Sequence, residues 1–165
     1  MLQDGLTLIE LLMTLGIIAL LTLLAAPSFH GVLARHQAQL DTESVVRALN
    51  LARQQALLRH ETMTVCPNDL SGKCGEDWSL GILLINEQDA IISQQPFEHH
   101  AVIFLKTFPA GHEQFLQFGA QGDTLTQNGS FYYCPLKKDL AKRIVFNQAG
   151  RVYVTTDGAV EGCGS

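Results

Sequence analysis

Residues 5–27 read GLTLIELLMTLGIIALLTLLAAP, an apolar run with one ionisable side chain, Glu10, close to its start. From Leu6 to Ala26 the run is 21 residues long, about the length an α-helix needs to cross a hydrocarbon core of roughly 30 Å. A secretory signal peptide would instead carry basic residues ahead of a shorter apolar core and small residues at its cleavage site. Met1-Leu2-Gln3-Asp4-Gly5 has no Lys or Arg, Arg35 lies beyond the far end, and Pro27 follows the small pair Ala25-Ala26. The run therefore reads as a retained membrane span.

After Pro27 the pattern turns amphipathic. Phe29, Val32, Leu33, His36, Leu40, Val45, Val46, Leu49, Ala52, Ala56 and Leu57 recur at helical spacing, with Arg35, Gln37, Gln39, Asp41, Arg47, Asn50 and Arg53 between them. The helix is expected to continue to Arg59, about 80 Å from Leu6 at 1.5 Å per residue. Pro27 lacks an N–H and crowds the preceding turn, so a kink or loosened hydrogen bond is expected there. Such a rod must bury its second half against the rest of the chain or against neighbouring copies.

Beyond His60 short β-like runs alternate with Gly, Asn and Asp turns, the signature of antiparallel sheet. The expected strands are 62–66, 78–86, 90–93, 101–105, 115–118, 130–134, 143–146 and 151–155. Asn147-Gln148-Ala149-Gly150 reads as a hairpin turn with Gly150 free to take positive φ. The Gly-rich tail from Asp157 to Ser165 reads as irregular.

Charge and cysteines constrain function. Residues 1–59 are neutral, while residues 60–165 hold the whole net charge of −5, which argues against non-specific nucleic-acid binding as the default. Cys66, Cys74, Cys134 and Cys163 all lie in that acidic part and suggest two disulfides in an oxidising compartment. Sequence alone allows three connectivities; sequential pairing closes the shortest loops. Zinc is the competing reading, but Cys66 and Cys74 lack the close Cys-x2-Cys spacing of structural zinc sites. His60, His99, His100 and His112 have no spaced carboxylate and no His-x3-His partner and read as surface or loop residues. Trp78 reads as core rather than a binding aromatic. No phosphate loop or nucleophile–base arrangement is identifiable, so no catalysis, metal or cofactor is expected.

In register as well as composition, Gly5, Leu6, Thr7, Glu10 and Pro27 resemble the type IV pilin N-terminus. The resemblance implies cleavage between Gly5 and Leu6 by a prepilin peptidase and methylation of the Leu6 amino group. It also implies an α+β, lollipop-like fold: a long helix packed on an antiparallel β-sheet head. The domains expected are a leader at 1–5, a membrane or filament-core helix at 6–27, its amphipathic half at 28–59 and a β-rich head at 60–165.

Two stretches of the head narrow this. TVCPNDLSGKCGEDWSLGILLI (64–85) is similar to the Cys-loop-Cys-Gly-x-x-Trp-x-x-Gly segment of the GspH/FimT family of minor pilins and pseudopilins. IVFNQAGRV (144–152) is similar to that family's terminal hairpin. Cysteines at these places favour the pilus-side, FimT- and FimU-like members. The implied role is a minor pilin that starts in the bacterial inner membrane, head in the periplasm, and enters a surface pilus with other minor pilins and the major pilin, priming or capping assembly. A pseudopilin of type II secretion is the alternative. A carboxylate in a bilayer core costs roughly 2.5 to 3.5 kcal/mol on insertion scales and so implies a partner; Glu10 is expected to pair with a neighbour's new amino terminus and set register.

A DNA receptor for natural transformation is a further alternative, since some FimT-type pilins carry a C-terminal Gly-Arg-x-Arg. Here that stretch is Gly150-Arg151-Val152-Tyr153, one guanidinium fewer and one stacking aromatic more. With Lys137, Lys138, Lys142 and Arg143, residues 137–151 hold five positive charges against Asp139. A solvated face or a contact with an acidic neighbouring pilin is the preferred reading of that run.

Overall fold

The computed structural model describes the backbone from residue 7 to residue 164 except residues 70, 98–100, 109, 112 and 113, and the side chains of 22–30 also stand outside the description. Gly5, Leu6, His99, His100 and His112 thus lie outside the described residues, as does the Pro27 side chain.

Helix α1 spans Leu8–Arg59. Thr7 stands just before it and its Oγ1 accepts the Glu10 N–H at 3.4 Å, half of a Thr-x-x-Glu capping box. Glu10 lies in the first turn, where unpaired N–H groups favour a carboxylate. At the other end His60 takes φ +55°, a left-handed cap that stops the helix. Among the described residues no helix is long and apolar enough to cross a membrane; the expected span, 6–27, extends into residues outside the description.

The chain divides into two compact units, 1–36 and 37–165. In the first, the apolar side chains from Leu8 to Leu21 are exposed. In the second, α1 buries Ala38, Asp41, Thr42, Val45, Ala48, Leu49, Ala52 and Ala56, steps of three and four that keep one helical face inward. Two details differ from the sequence reading. Leu40 and Leu57 are exposed, one residue off the stripe, and Asp41, expected on the polar side, is buried.

Eight strands follow: β1 Met63–Pro67, β2 Gly81–Ile85, β3 Ile91–Pro96, β4 Val102–Phe108, β5 Leu116–Phe118, β6 Asn128–Cys134, β7 Lys142–Phe146 and β8 Val152–Thr155. They form two four-stranded antiparallel sheets, in the orders β3-β2-β1-β5 and β4-β6-β7-β8. One core gathers Met63, Val65, Leu116 and Phe118 from the first sheet, Ile103, Leu105, Phe131, Ile144 and Phe146 from the second, and the helix stripe. Tyr133 of β6 donates to the Asp41 carboxylate at 3.1 Å with both residues buried, so the helix and the second sheet share a polar tie inside the core.

Two further expectations are corrected. Trp78–Leu80, read as the start of a strand, is a 3-10 turn, because Asp77 accepts the Ser79 N–H at 2.8 Å and so holds the chain in a turn. The tail, read as irregular, carries a short helix α2, Ala159–Gly162. Its Ala159 is buried and Cys163 just beyond it is tied to Cys134.

Candidate functional site

Among the described residues no group of His, Cys, Asp and Glu could hold a metal ion. The features that stand out are surfaces. The first lies on α1, where Leu8, Ile9, Leu12, Met13, Leu20 and Leu21 are each at least 60% exposed. Apolar side chains all round a helix mark a segment that is covered by lipid or by other helices. Glu10 is exposed within it.

The second feature is the disulfide segment at 64–85. Cys66 is bonded to Cys74 and Cys134 to Cys163, and none of the four cysteines is free. Inside the first loop Asp69 accepts from the Ser71 hydroxyl at 2.6 Å, the Ser71 N–H at 2.8 Å and the Lys73 N–H at 2.9 Å. Those bonds, the Ser71 hydroxyl first, hold the Asp69 carboxyl below its usual range. Gly75 donates to the Pro67 carbonyl at 2.8 Å. Trp78 is buried and meets Phe131 edge-on, 4.8 Å between centroids. Ser79 Oγ accepts the Ile103 N–H at 2.9 Å, joining the turn to the edge strand of the second sheet. Gly81 has φ +143°, and a Cβ there would strike the Gln95 carbonyl. The motif's named positions thus fix the loop to both sheets; they do not present chemistry.

The third is the outward face of the second sheet with its basic residues. Strand register places Phe104, Tyr132, Arg143 and Thr155 in one row, and Lys106, Ser130, Val145 and Tyr153 in the next. Phe104 and Tyr132 stack at 5.2 Å, Lys106 Nζ stands 5.4 Å and 5.5 Å from their centroids, and Arg143 lies 5.7 Å from the Tyr132 ring. Arg143 Nε also donates to Ser130 Oγ at 2.9 Å. Below them is a shallow depression of about 380 Å³ with Lys106, Phe108, Asn128 and Val145 among its lining. Sequence reasoning named Arg143 and Tyr153 but missed Lys106, Phe104 and Tyr132; the alternation Phe104-x-Lys106 on one strand was the available signal.

The basic run at 137–151 does not form one track. Lys137 and Lys138 are exposed in the turn between β6 and β7, while Arg151 is exposed beyond the opposite end of β7, with the length of the strand, about 13 Å at ~3.3 Å per residue, between the two ends. Lys142 lies opposite Tyr133 on the other face of β7 from Arg143. Gly150, at φ +70°, is where a Cβ would strike the Gly122 carbonyl, the same oxygen that Arg53 Nε of α1 binds at 3.0 Å. The glycine of the Gly-Arg pair therefore seats the hairpin against the 119–127 loop and the helix. Of the histidines, His60 is exposed at the helix end.

The Tyr133 phenol, tied to Asp41 in the core, is strongly perturbed. Burial, then the charge and hydrogen bond of Asp41, push the Tyr133 phenol well above its ordinary range.

The family described as type II transport protein GspH matches residues 41–150. No curated protein sequence matches the chain. Among solved structures, the type IV minor pilin FimU of Pseudomonas aeruginosa strain PAO1 is similar in two crystal forms. In the P21 form the TM-score is 0.56 at 21% identity, covering 74% of this chain and 90% of that one. In the P65 form it is 0.51 at 21% identity, covering 71% and 91%. At that identity the likeness is one of fold.

Proposed function

The chain belongs to the GspH/FimT family of minor pilins and pseudopilins, and from that premise we propose that it is a pilus-side minor pilin that helps prime or cap assembly of a type IV pilus. The observation that carries the proposal is the exposed apolar surface of α1 from Leu8 to Leu21, none of which belongs to the core of the head. A surface of that kind serves first as a membrane anchor and then as packing against other pilin helices. The leader at 1–5, cleavage after Gly5, methylation at Leu6 and residence in the inner membrane before incorporation belong to the same proposal.

Glu10 has the role of register. Its carboxylate sits in the first turn of α1, the place for a charge that meets the amino terminus of an adjacent subunit as both leave the bilayer. Glu10→Ala should leave the head folded while the protein fails to enter pili, read as its loss from sheared filaments with unchanged cellular level. Normal incorporation of the variant would remove that role.

A pseudopilin of a type II transport apparatus is the second reading, favoured by the description of the matching family. Deleting the gene separates the two: loss of surface pili with intact protein secretion fits the pilus, and the converse fits the transport apparatus.

A further inference from the structure

We propose that the turn between β6 and β7 is a lipid-contact tip, which docks the head on an anionic bilayer surface while the subunit waits in the membrane. Leu136 is 96% exposed, the most exposed large apolar side chain among the described residues, and Lys137 and Lys138 follow it, both exposed. A leucine that open to water touches almost nothing of its own chain. Flanking lysines are the complement of a phosphate layer, with stems that lie along apolar surface and heads that reach anionic groups.

The turn is rigid enough to act as a probe. Pro135 fixes one dihedral before Leu136. Leu140 donates to the Lys137 carbonyl at 3.0 Å and Ala141 to the Lys138 carbonyl at 3.1 Å. Leu140 packs on the core and Ala141 is buried, so the turn's far side is anchored. Val102, opposite Cys134 in register and 59% exposed, adds apolar surface at the same end of the sheet. Asp139 is the acidic member of the turn, against Lys137, Lys138 and Lys142.

Position decides the occupant. Tyr133, three residues before Leu136, binds Asp41, and Asp41 lies close to Gln37, where the chain enters the head unit. The Gly150 hairpin, at the other end of β7, sits by Arg53 and Gly122. Leu136 and its lysines are therefore at the end of the head unit where Gln37 enters it. A chain already held by that segment needs only a weak second contact, because tethering makes it effectively intramolecular. An acidic protein partner would be served by a broad face; a single exposed leucine followed by two cations fits a headgroup layer. The inference rests on the reading that the apolar segment is membrane-inserted.

The test is hydrogen exchange on the full chain reconstituted in neutral phosphatidylcholine nanodiscs and in nanodiscs containing phosphatidylglycerol. The expected result is that amides at 136–141 exchange about tenfold more slowly in the anionic bilayer. The slowing should be lost in high salt and in a variant carrying Leu136→Ser, Lys137→Gln and Lys138→Gln, and should survive Arg151→Gln at the opposite end. Protection at 8–21 with equal exchange at 136–141 in both bilayers would overturn the tip and leave the membrane reading standing. Slowing at 136–141 that survives the triple variant or tracks protein concentration would also overturn it. Absence of protection at 8–21 in either bilayer would overturn the membrane reading and the tip with it.

Discussion

Within one helix the two ends follow opposite rules. From Leu8 to Leu21 large aliphatic side chains are exposed, whereas from Ala38 to Ala56 much smaller ones, four of them alanines, are buried. Hydrophobicity alone would rank these segments the other way. What separates them is the partner each was shaped for: the second segment has its own sheets to meet, and small residues let a helix and a strand layer approach closely, while the first has none among the described residues of its own unit and needs lipid or other helices. Removal of a side chain should therefore be felt in the head for one segment and only in the environment for the other.

That contrast can be broken or sharpened experimentally. The largest effect is expected from Leu49→Ala, which leaves a cavity in the core and should cost about 2–5 kcal/mol, read as a lower denaturation midpoint with unchanged slope. Replacing Cys134 and Cys163 together by Ser should cost about 2–4 kcal/mol by freeing the unfolded chain and the α2 tail, and non-reducing denaturation should show the difference. Gly150→Ala should cost about 1–3 kcal/mol, from the strained φ and the contact with Gly122; a change below ~0.5 kcal/mol would show that the hairpin is not seated as described.

Tyr133→Phe should cost about 1–2 kcal/mol near neutral pH, since Asp41 loses a donor in the core. Its pH profile is more telling. Because the folded-state phenol titrates above its unfolded value of 10.0, it contributes stability that is full below pH 10 and lost as pH rises beyond it. The wild type should lose stability above pH 10 faster than the Phe variant; parallel alkaline curves would contradict the buried tie. The smallest effect is expected from Leu15→Ala, which should shift head stability by less than about 0.5 kcal/mol while weakening retention in bilayers. A large loss in head stability would erase the distinction between the two segments.

Much of the architecture was legible along the chain. Alternation and turn residues place each of the eight strands to within a few residues, because period-two patterning and Gly or Asn punctuation are local properties. The Gly150 turn was readable for the same reason. The 3-10 turn at Trp78 was not: WSLGILLI has the composition of a strand, and the Asp77 cap together with the bond from the Ile103 N–H of the other sheet to Ser79 Oγ outweighs that propensity. Asp41 was placed on the wrong side because a carboxylate is scored as polar until its partner, Tyr133, is brought to it from 92 residues away.

For the surfaces the division is similar. The apolar segment with its single carboxylate, and the count and confinement of the cysteines, are facts of composition and order; they point to the class of protein without coordinates, since a 21-residue apolar run has few physical outcomes. The basic run at 137–151 looks like one cluster because its members are neighbours in sequence. Antiparallel pairing turns that proximity inside out: β7 sends Lys137 and Lys138 to one end, Arg151 to the other, and brings Arg143 to Lys106 across β6. The sequence by itself determined where this protein is apolar, where it is charged and where it turns. Only the tertiary structure decided which charges share a surface and which apolar groups are left uncovered, because both depend on residues far apart in the chain arriving at the same place.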